Sequence, residues 1–323
     1  MLKQSATWQL ISKSLHHNIA VMLLYVLESS GSSPGRQGFC MAVNADGEME
    51  GSIGGGIMEH KFVEMAKDHL KKNDDENEVR KQKHDKHAEK NQSGMICSGE
   101  QTIFIYRVKK NELGHVDNVI AELNANRNGL LTLSNKGIFF ATNAEPFFNF
   151  HYHFVNKNDW QYQEKIGFKN HLYIIGGGHC SLAFSQLMSG MDFYIHLFDH
   201  REALHTMEQN NFALEKTVVS DYSMLSELIP SGENNYVVIM TFGYRTDEQA
   251  LKALMDKDFK YLGLLGSKYK TGKMLTDLKK EGVAEKKLKA IHAPIGIPIK
   301  SKTPEEIAVS IAAQIIKVKN KSC

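Results

Sequence analysis

The chain has 323 residues, and its hydrophobic fraction of 42% is ordinary for a globular protein of about two domains. Its 39 basic residues nearly balance 37 acidic ones, so charge gives no reason to expect a nucleic-acid or membrane-surface partner. The four cysteines lie far apart, which argues against a disulfide framework and favours the reducing cytoplasm. We expect neither a signal peptide nor a membrane span, because neither the secretory pattern nor a run of about 18 apolar residues occurs.

The first half of the chain, residues 1–168, has the pattern of a mixed α+β domain. Apolar periodicity predicts helices at 8–17, 57–70 and 116–123, and strands at 20–27, 39–43, 48–52, 102–108, 130–134, 137–142 and 147–154. The dipeptide Asp46-Gly47 marks a hairpin turn between two of these strands. Residues 71–91 are dense in charge and predict a solvated helix end and loop.

In the second half of the chain, residues 169–323, strands and helices alternate. Strands are predicted at 172–175, 192–198, 236–241 and 261–265, and helices at 180–188, 248–255, 268–280 and 304–318. This alternation is typical of a parallel sheet covered by helices on both faces. The predicted fold class is therefore α/β: a C-terminal Rossmann-like domain with a parallel sheet, preceded by the N-terminal mixed α+β domain.

A glycine turn follows the first strand of the C-terminal half and opens a helix. Gly176 and Gly178 occupy the first and third positions of the GxGxxG dinucleotide fingerprint, and Ser181 stands at the sixth. Asp199 ends the next strand, where an acid binds a ribose hydroxyl pair, and Arg201 leaves room for a phosphate. The turn predicts nucleotide or phosphate binding, with a glycine turn kept only for packing as the alternative.

A second glycine run, Gly54, Gly55 and Gly56, lies between a strand and a helix. Successive free backbone N–H groups in such a run form an anion-binding nest, which suits a phosphate-bearing ligand. Glu59, in the first turn of the helix, would repel an anion placed nearby. A tight turn without a ligand is the alternative interpretation.

Cys97 lies among small residues ahead of a strand, where an accessible thiolate could ligate a soft metal or carry a persulfide. The alternative is an inert, buried cysteine. The histidine pairs His84 and His87, and His151 and His153, lack a third ligand at metal spacing, so we interpret them as surface residues. The sequence therefore predicts no metal site built from protein residues alone.

These motifs, in this order, resemble the XdhC/CoxI family of xanthine dehydrogenase accessory proteins over nearly the whole chain. Six further sequence blocks carry the resemblance, and the last three of them are absent from ordinary dehydrogenases. The blocks are Ser32-Ser33-Pro34-Gly35, Gly51 to Gly56 with Glu59, Cys97-Ser98-Gly99, Tyr261 to Lys268, His292-Ala-Pro-Ile-Gly296 and Lys302 to Ala308. Two positions depart from the family pattern: Ser98 replaces a glycine, and no histidine follows Thr241. The second departure puts in doubt a proton-transfer role for that loop.

The resemblance implies an accessory protein, or chaperone, that binds the molybdenum cofactor. It would assist the sulfuration of this cofactor and its insertion into a xanthine dehydrogenase-type molybdenum hydroxylase. A cysteine desulfurase and the molybdoenzyme are the implied partners, and the resemblance allows a homodimer. Cys97 becomes the implied molybdenum or sulfur ligand, and the glycine turns suit the phosphate of the cofactor.

The competing hypothesis is an NAD(P)-dependent oxidoreductase that uses the C-terminal Rossmann-like domain. Such an enzyme needs a proton donor beside the nicotinamide, and Lys268 and His292 are the candidates. Their simpler interpretation is a lysine at a helix start and a loop histidine. A third hypothesis is a scaffold that senses NAD(P) or another nucleotide without performing chemistry.

Overall fold

The chain divides into two compact units, Met1–Gly167 and Phe168–Cys323. The sequence pattern predicts a domain boundary between residues 168 and 169. The structure is a computed structural model, and it describes residues 5–72, 77–83, 99–144 and 146–322.

The N-terminal unit is built from antiparallel sheets and helices. Its helices are α1 (Ser5–His16), α2 (Gly56–Lys72) and α3 (Leu113–Asn124). Its strands are β1 (Val21–Gly31), β2 (Cys40–Asn44), β3 (Met49–Gly51), β4 (Glu78–Lys83), β5 (Gly99–Arg107), β6 (Gly129–Ser134), β7 (Gly137–Thr142), β8 (Phe150–Asn156) and β9 (Asp159–Ile166). They form one sheet in the order β3-β2-β1-β5-β4 and another in the order β7-β6-β9-β8.

Strand β1 is the centre of the first sheet and is buried on both faces from residue 21 to residue 27. Leu23 belongs to the same buried cluster as Trp8 of α1. Leu24, on the opposite face, belongs to the cluster that includes Phe62 of α2. Because neighbouring side chains of a strand point to opposite faces, this continuous apolar run fills two cores at once.

Two strands of this unit differ from the sequence prediction. Strand β4 lies inside the charged stretch predicted as a helix end and loop, and the predicted loop was wrong there. Its residues are mostly charged and only Gln82 is fully buried, so backbone pairing with β5 makes it a strand, without an apolar pattern to reveal it. Strand β9 was not predicted, because Glu164 stands on its buried face among apolar neighbours.

The C-terminal unit has a five-stranded parallel sheet in the order β12-β11-β10-β13-β14. Its strands are β10 (Asn170–Ile175), β11 (Phe193–Asp199), β12 (Glu215–Val218), β13 (Gly232–Ile239) and β14 (Phe259–Leu264). Its helices are α4 (His179–Ser189), α5 (His205–Glu208), α6 (Leu225–Leu228), α7 (Tyr244–Leu254), α8 (Lys268–Lys280), α9 (Glu285–Ala290) and α10 (Pro304–Lys319). The parallel, Rossmann-like sheet predicted from the sequence is confirmed.

Helices cover both faces of this sheet. One buried cluster joins the sheet to α4 and α10, with Phe184 and Ile311 as members. The other joins it to α7 and α8, with Leu251 and Met274 as members. The chain starts at the central strand β10, moves outward to β12, and then returns to β13 on the other side. The strand order therefore reverses between β10 and β13, which creates a switch point at the carboxyl edge of the sheet.

The glycine turn after β10 allows a test of this architecture. Gly176 has a φ of +108°, and a β-carbon there would lie 2.4 Å from the carbonyl oxygen of Met240. We expect Gly176→Ala to lower the free energy of unfolding by about 2–4 kcal/mol, since it adds both backbone strain and overpacking. Gly178→Ala is the matched control, because a β-carbon at that position meets nothing within 4 Å. Gly178→Ala should lower the free energy of unfolding by about 1 kcal/mol or less, as measured by urea denaturation. Equal losses of stability in the two variants would contradict the conclusion that the turn requires glycine at position 176.

Candidate functional site

The switch point is occupied by the predicted glycine turn. The Gly176 N–H donates to the carbonyl oxygen of Phe198 at 2.7 Å, which ties the turn to β11. On its other side the Gly176 Cα packs against the peptide joining Met240 and Thr241, which follows β13. The turn is thus fixed between the two strands that flank β10. Ligands of open α/β sheets bind in the crevice at this place.

The space beyond Gly178 is open. Gly178 is the N-cap residue of α4, and no side chain of the described chain caps this end of the helix. Ser181, at the third glycine position of the fingerprint, is buried, and its hydroxyl donates to the carbonyl oxygen of Gly176. Ser181 therefore packs the helix onto the turn, while Gly178 and the first N–H groups of α4 offer a place for an anion.

Asp199 is fully buried and lies directly beneath the glycine turn, on its core side. Its Oδ2 atom accepts from the Gly177 N–H at 2.7 Å and from Arg201 Nη2 at 2.8 Å. Its Oδ1 atom accepts from the backbone N–H and from Nε of Arg201, both at 2.9 Å. Two predicted site residues, Asp199 and Arg201, are thus joined to each other and to the glycine turn.

This arrangement changes what Asp199 can do. Burial by itself raises the pKa of its carboxyl, but the hydrogen bonds from Arg201 and Gly177 outweigh burial and hold that pKa below its ordinary value. The carboxylate is therefore charged, and both its oxygens are engaged. A ribose hydroxyl pair would have to displace Arg201, whose side chain is about one third exposed. The geometry favours a structural role for Asp199 over the predicted ribose contact, and nucleotide binding there stays a prediction.

The ion pair of Asp199 and Arg201 gives a prediction about stability. We expect Asp199→Asn to lower the free energy of unfolding by about 2–3 kcal/mol, the low end for a broken buried pair because Arg201 is partly exposed. The pKa of Asp199 is lower in the folded state than in the unfolded state, where it is near 4. The charge of Asp199 therefore contributes fully to the free energy of unfolding above that unfolded pKa, and this contribution is lost as the pH falls through the folded pKa. The difference between wild type and variant should therefore be constant at neutral pH and shrink below about pH 4.

The matched control is Asp256→Asn, which removes a surface carboxylate paired with Lys287 at 2.7 Å in the same unit. Chemical denaturation of all three proteins across the pH range measures the effect. We expect little change in the control. A loss that is the same at neutral and acidic pH would show that the charge of Asp199 does not stabilise the fold.

An exposed aromatic ring that was not predicted as a site residue, Phe242, forms the rim of the site. It follows Thr241, which lies two residues beyond the end of β13, and it is 66% exposed. The His200 ring lies against it at a centroid distance of 5.4 Å and an interplanar angle of 19°. The Arg201 guanidinium carbon lies 5.2 Å from its centroid. The sequence feature that could have revealed Phe242 is an aromatic residue shortly after a strand that ends at the switch point.

A second buried carboxylate, Asp247, lies on the β14 side of the site and was also not predicted. Its Oδ1 atom accepts from the backbone N–H of Thr241 at 3.0 Å and from the Thr241 hydroxyl at 2.6 Å. Its Oδ2 atom accepts from the ammonium of Lys270, which is itself only partly exposed. Arg201 and Lys270 thus supply a cation near each side of the switch point, each neutralised by a buried carboxylate.

Lys268 and His292, the proton donors of the oxidoreductase hypothesis, have structural roles at the β14 edge of the sheet. The His292 ring stacks on Tyr261 at 4.5 Å and 14°, and burial lowers the pKa of the imidazole. The backbone of His292 bonds to β14 through Leu262 and Leu264, at 2.9 and 3.0 Å. Lys268 is the first residue of α8. The blocks at 261–268 and 292–296 therefore build the edge of the sheet.

The N-terminal glycine run has three successive positive φ angles, +129°, +74° and +70° for Gly54, Gly55 and Gly56. The carboxylate of Glu59 fills the nest that they form. Its Oε2 atom accepts from the N–H groups of Ile53 and Gly55, at 2.9 and 3.0 Å, and from the Ser52 hydroxyl at 2.6 Å. The predicted geometry of an anion nest is present, and the anion in it belongs to the chain.

Removing this carboxylate should open the nest. We expect Glu59→Ala to lower the free energy of unfolding by about 1–3 kcal/mol, because backbone N–H groups lose their acceptor. Phosphate should then stabilise the variant more than the wild type, since the nest is free to bind it. Glu64→Ala, which removes a surface partner of Lys67 in the same helix, is the control. Thermal unfolding in phosphate and in chloride at equal ionic strength tests this, and an equal response of all three proteins would argue against a nest.

The described parts of the N-terminal motifs meet at one place. A β-carbon at Gly54 would lie 2.4 Å from the Gly35 nitrogen, and one at Gly99 would lie 2.6 Å from the Ser33 nitrogen. The Gln101 amide donates to the carbonyl oxygen of Gly35 at 3.1 Å. These close approaches explain the glycines as packing requirements. Cys97, the predicted molybdenum or sulfur ligand, lies outside the described residues.

The described part of the chain contains neither a metal-ligand cluster nor a membrane-spanning helix. No group of three or more His, Cys, Asp and Glu side chains there could hold a metal ion. Within the same residues, no helix has the length and apolar character needed to cross a membrane. The histidines His151 and His153 are exposed, whereas His84 and His87 fall outside the described ranges.

The fold and the switch-point crevice define a two-unit protein with a Rossmann-type C-terminal unit. A family profile described as the XdhC Rossmann domain matches residues 172–315, and one described as the XdhC and CoxI family matches residues 14–80. The chain therefore belongs to the XdhC/CoxI family, which confirms the resemblance seen in the sequence.

Two individual relatives are similar to this chain. The uncharacterized protein YqeB of Escherichia coli K12 is 26% identical over 316 residues, which are 96% of this chain and 45% of that protein. A probable xanthine dehydrogenase subunit from Bacillus subtilis is 27% identical over 158 residues, 49% of this chain and 46% of that protein. The chain thus matches somewhat less than half the length of these relatives.

A solved structure shares the whole fold. The crystal structure of a protein described as a xanthine dehydrogenase from Bacillus halodurans superposes with a TM-score of 0.68. The match covers 98% of this chain and 97% of that one, at 20% sequence identity. At this identity the likeness establishes a common fold.

Proposed function

We propose that this protein is an accessory factor for a xanthine dehydrogenase-type molybdenum hydroxylase. It binds the molybdenum cofactor, assists its sulfuration and delivers it to the apo-enzyme. The observation that carries the proposal is the open glycine turn at the uncapped start of α4, in a chain that belongs to the XdhC/CoxI family. The cofactor carries a phosphate, and a helix N-terminus with free N–H groups is suited to hold one.

The two glycine turns fit this cargo differently. At Gly178 a phosphate can approach the backbone without moving any side chain, since a β-carbon there meets nothing within 4 Å. At Gly55 a phosphate would have to displace the Glu59 carboxylate, which already accepts the N–H. We therefore assign the phosphate of the cofactor to the C-terminal turn and give the N-terminal turn a role in shaping its own unit.

Cys97 is the proposed ligand for molybdenum or for the incoming sulfur. A thiolate is a soft ligand that suits both. In this proposal a cysteine desulfurase supplies the sulfur, a xanthine dehydrogenase-type enzyme receives the finished cofactor, and both meet the factor in the cytoplasm. A homodimer would present two copies of the crevice to these partners.

A reconstitution experiment tests the proposal. The purified chain is loaded with molybdenum cofactor and mixed with an apo-form of a xanthine dehydrogenase, and recovered hydroxylase activity is measured. We expect wild type to restore activity and Cys97→Ala to restore at least tenfold less, an estimate that assumes loss of one strong ligand. Asp256→Asn, which changes a 95% exposed carboxylate beyond the C-terminal end of α7, is the control and should behave as wild type.

Mass spectrometry of ligands released from the same protein separates the hypotheses. A released pterin supports the cofactor proposal. A released NAD(P), together with turnover of a small carbonyl substrate, would replace it by the oxidoreductase. A bound nucleotide without turnover would favour the sensing scaffold. Equal delivery by Cys97→Ala and wild type would remove the role of the cysteine and leave the carrier function in place.

A further inference from the structure

A ring of contacts places the side chain of Phe242 beside the glycine turn. The carboxylate of Asp199 holds both the turn and Arg201, and the Arg201 guanidinium lies against the Phe242 ring. From the other direction, a β-carbon at Gly176 would lie 2.9 Å from the Cα of Thr241, the residue before Phe242. The aromatic ring and the turn therefore lie next to each other at the switch point.

The position of this ring is supported from below. His200 stacks on it nearly in parallel, and His200 Nδ1 lies 3.1 Å from the hydroxyl of Tyr222. Tyr222 is buried, so the layer beneath Phe242 is part of the core. A ring held by a cation and an imidazole keeps its orientation, yet 66% of its surface stays accessible. Isolated exposed aromatic residues are common on proteins, and Phe242 is distinguished by this support and by its place beside the start of α4.

We infer that Phe242 is the stacking platform for a planar heteroaromatic ring of a ligand whose phosphate lies at the start of α4, over Gly178. Ring stacking on an aromatic side chain is favourable and tolerant of ring identity. The Arg201 guanidinium, whose carbon lies over the Phe242 ring at 5.2 Å from its centroid, adds attraction for an electron-rich ring. The inference deepens the proposed function, because a pterin phosphate has this chemistry. A purine nucleotide shares it, and the experiment distinguishes the two.

Calorimetric titration of the full chain tests the inference with three probes: neopterin monophosphate, ADP and inorganic pyrophosphate. The variants are Phe242→Leu, which keeps apolar bulk and removes the ring, and Phe242→Tyr, which keeps the ring. Phe147→Leu is the matched control, since Phe147 is 99% exposed in the other unit. Thermal unfolding of each variant verifies that the fold is retained.

We expect Phe242→Leu to weaken the ring-bearing probe that wild type binds by about 5- to 150-fold. Binding of pyrophosphate should change less than about twofold, because it has no ring to stack, and Phe242→Tyr should restore ring binding. The control should match wild type with every probe. An equal loss with pyrophosphate, or no loss with a ring that wild type binds, would overturn the platform.

The choice of probe separates this inference from the proposed function. Stacking seen with ADP and no binding of the pterin would support the platform and contradict cofactor carriage. Pterin binding that is indifferent to Phe242→Leu would support carriage and contradict the platform. Failure of wild type to bind either ring-bearing probe would overturn the inference.

Discussion

The carboxylate of Asp199 is the interaction on which the C-terminal site depends. It is fully buried, so its charge must be satisfied by protein groups, and the Gly177 N–H and the Arg201 side chain provide them. The same hydrogen bonds fix the glycine turn relative to β11 and hold the guanidinium against Phe242. One acidic side chain thus positions the glycine turn and the aromatic rim together.

Asp247 performs a parallel task on the other side of the switch point. It holds the peptide after β13 through Thr241 and draws in the ammonium of Lys270 from α8. Both carboxylates are buried and both cations are partly exposed, so each of these two cations is already paired with an acid. Binding of a phosphate there would depend on the oriented N–H groups of α4 more than on an excess of positive side chains.

The two glycine turns look alike in sequence and differ in their surroundings. The turn at Gly54 to Gly56 carries its own anion, because Glu59 lies one helical turn away and reaches back to the free N–H groups. The turn at Gly176 to Gly178 has no acidic residue in the first turn of its helix. Its acid, Asp199, comes from the neighbouring strand and binds beneath the turn, which leaves the outer side open.

The sequence by itself determined the parallel sheet of the C-terminal unit and the place of its glycine turn. The order of strand, glycine turn and helix is a local pattern, and local patterns follow from backbone sterics and apolar periodicity. Only the tertiary structure decided that the side chain of Arg201 pairs with the Asp199 carboxylate and that the Glu59 carboxylate fills the nest. It also decided that Phe242 stays exposed and that β4 pairs with β5. Each of these features depends on contacts between different helices, strands and loops. Such hydrogen-bond partners and neighbouring strands are set by the tertiary fold, and the spacing of residues along the sequence does not reveal them.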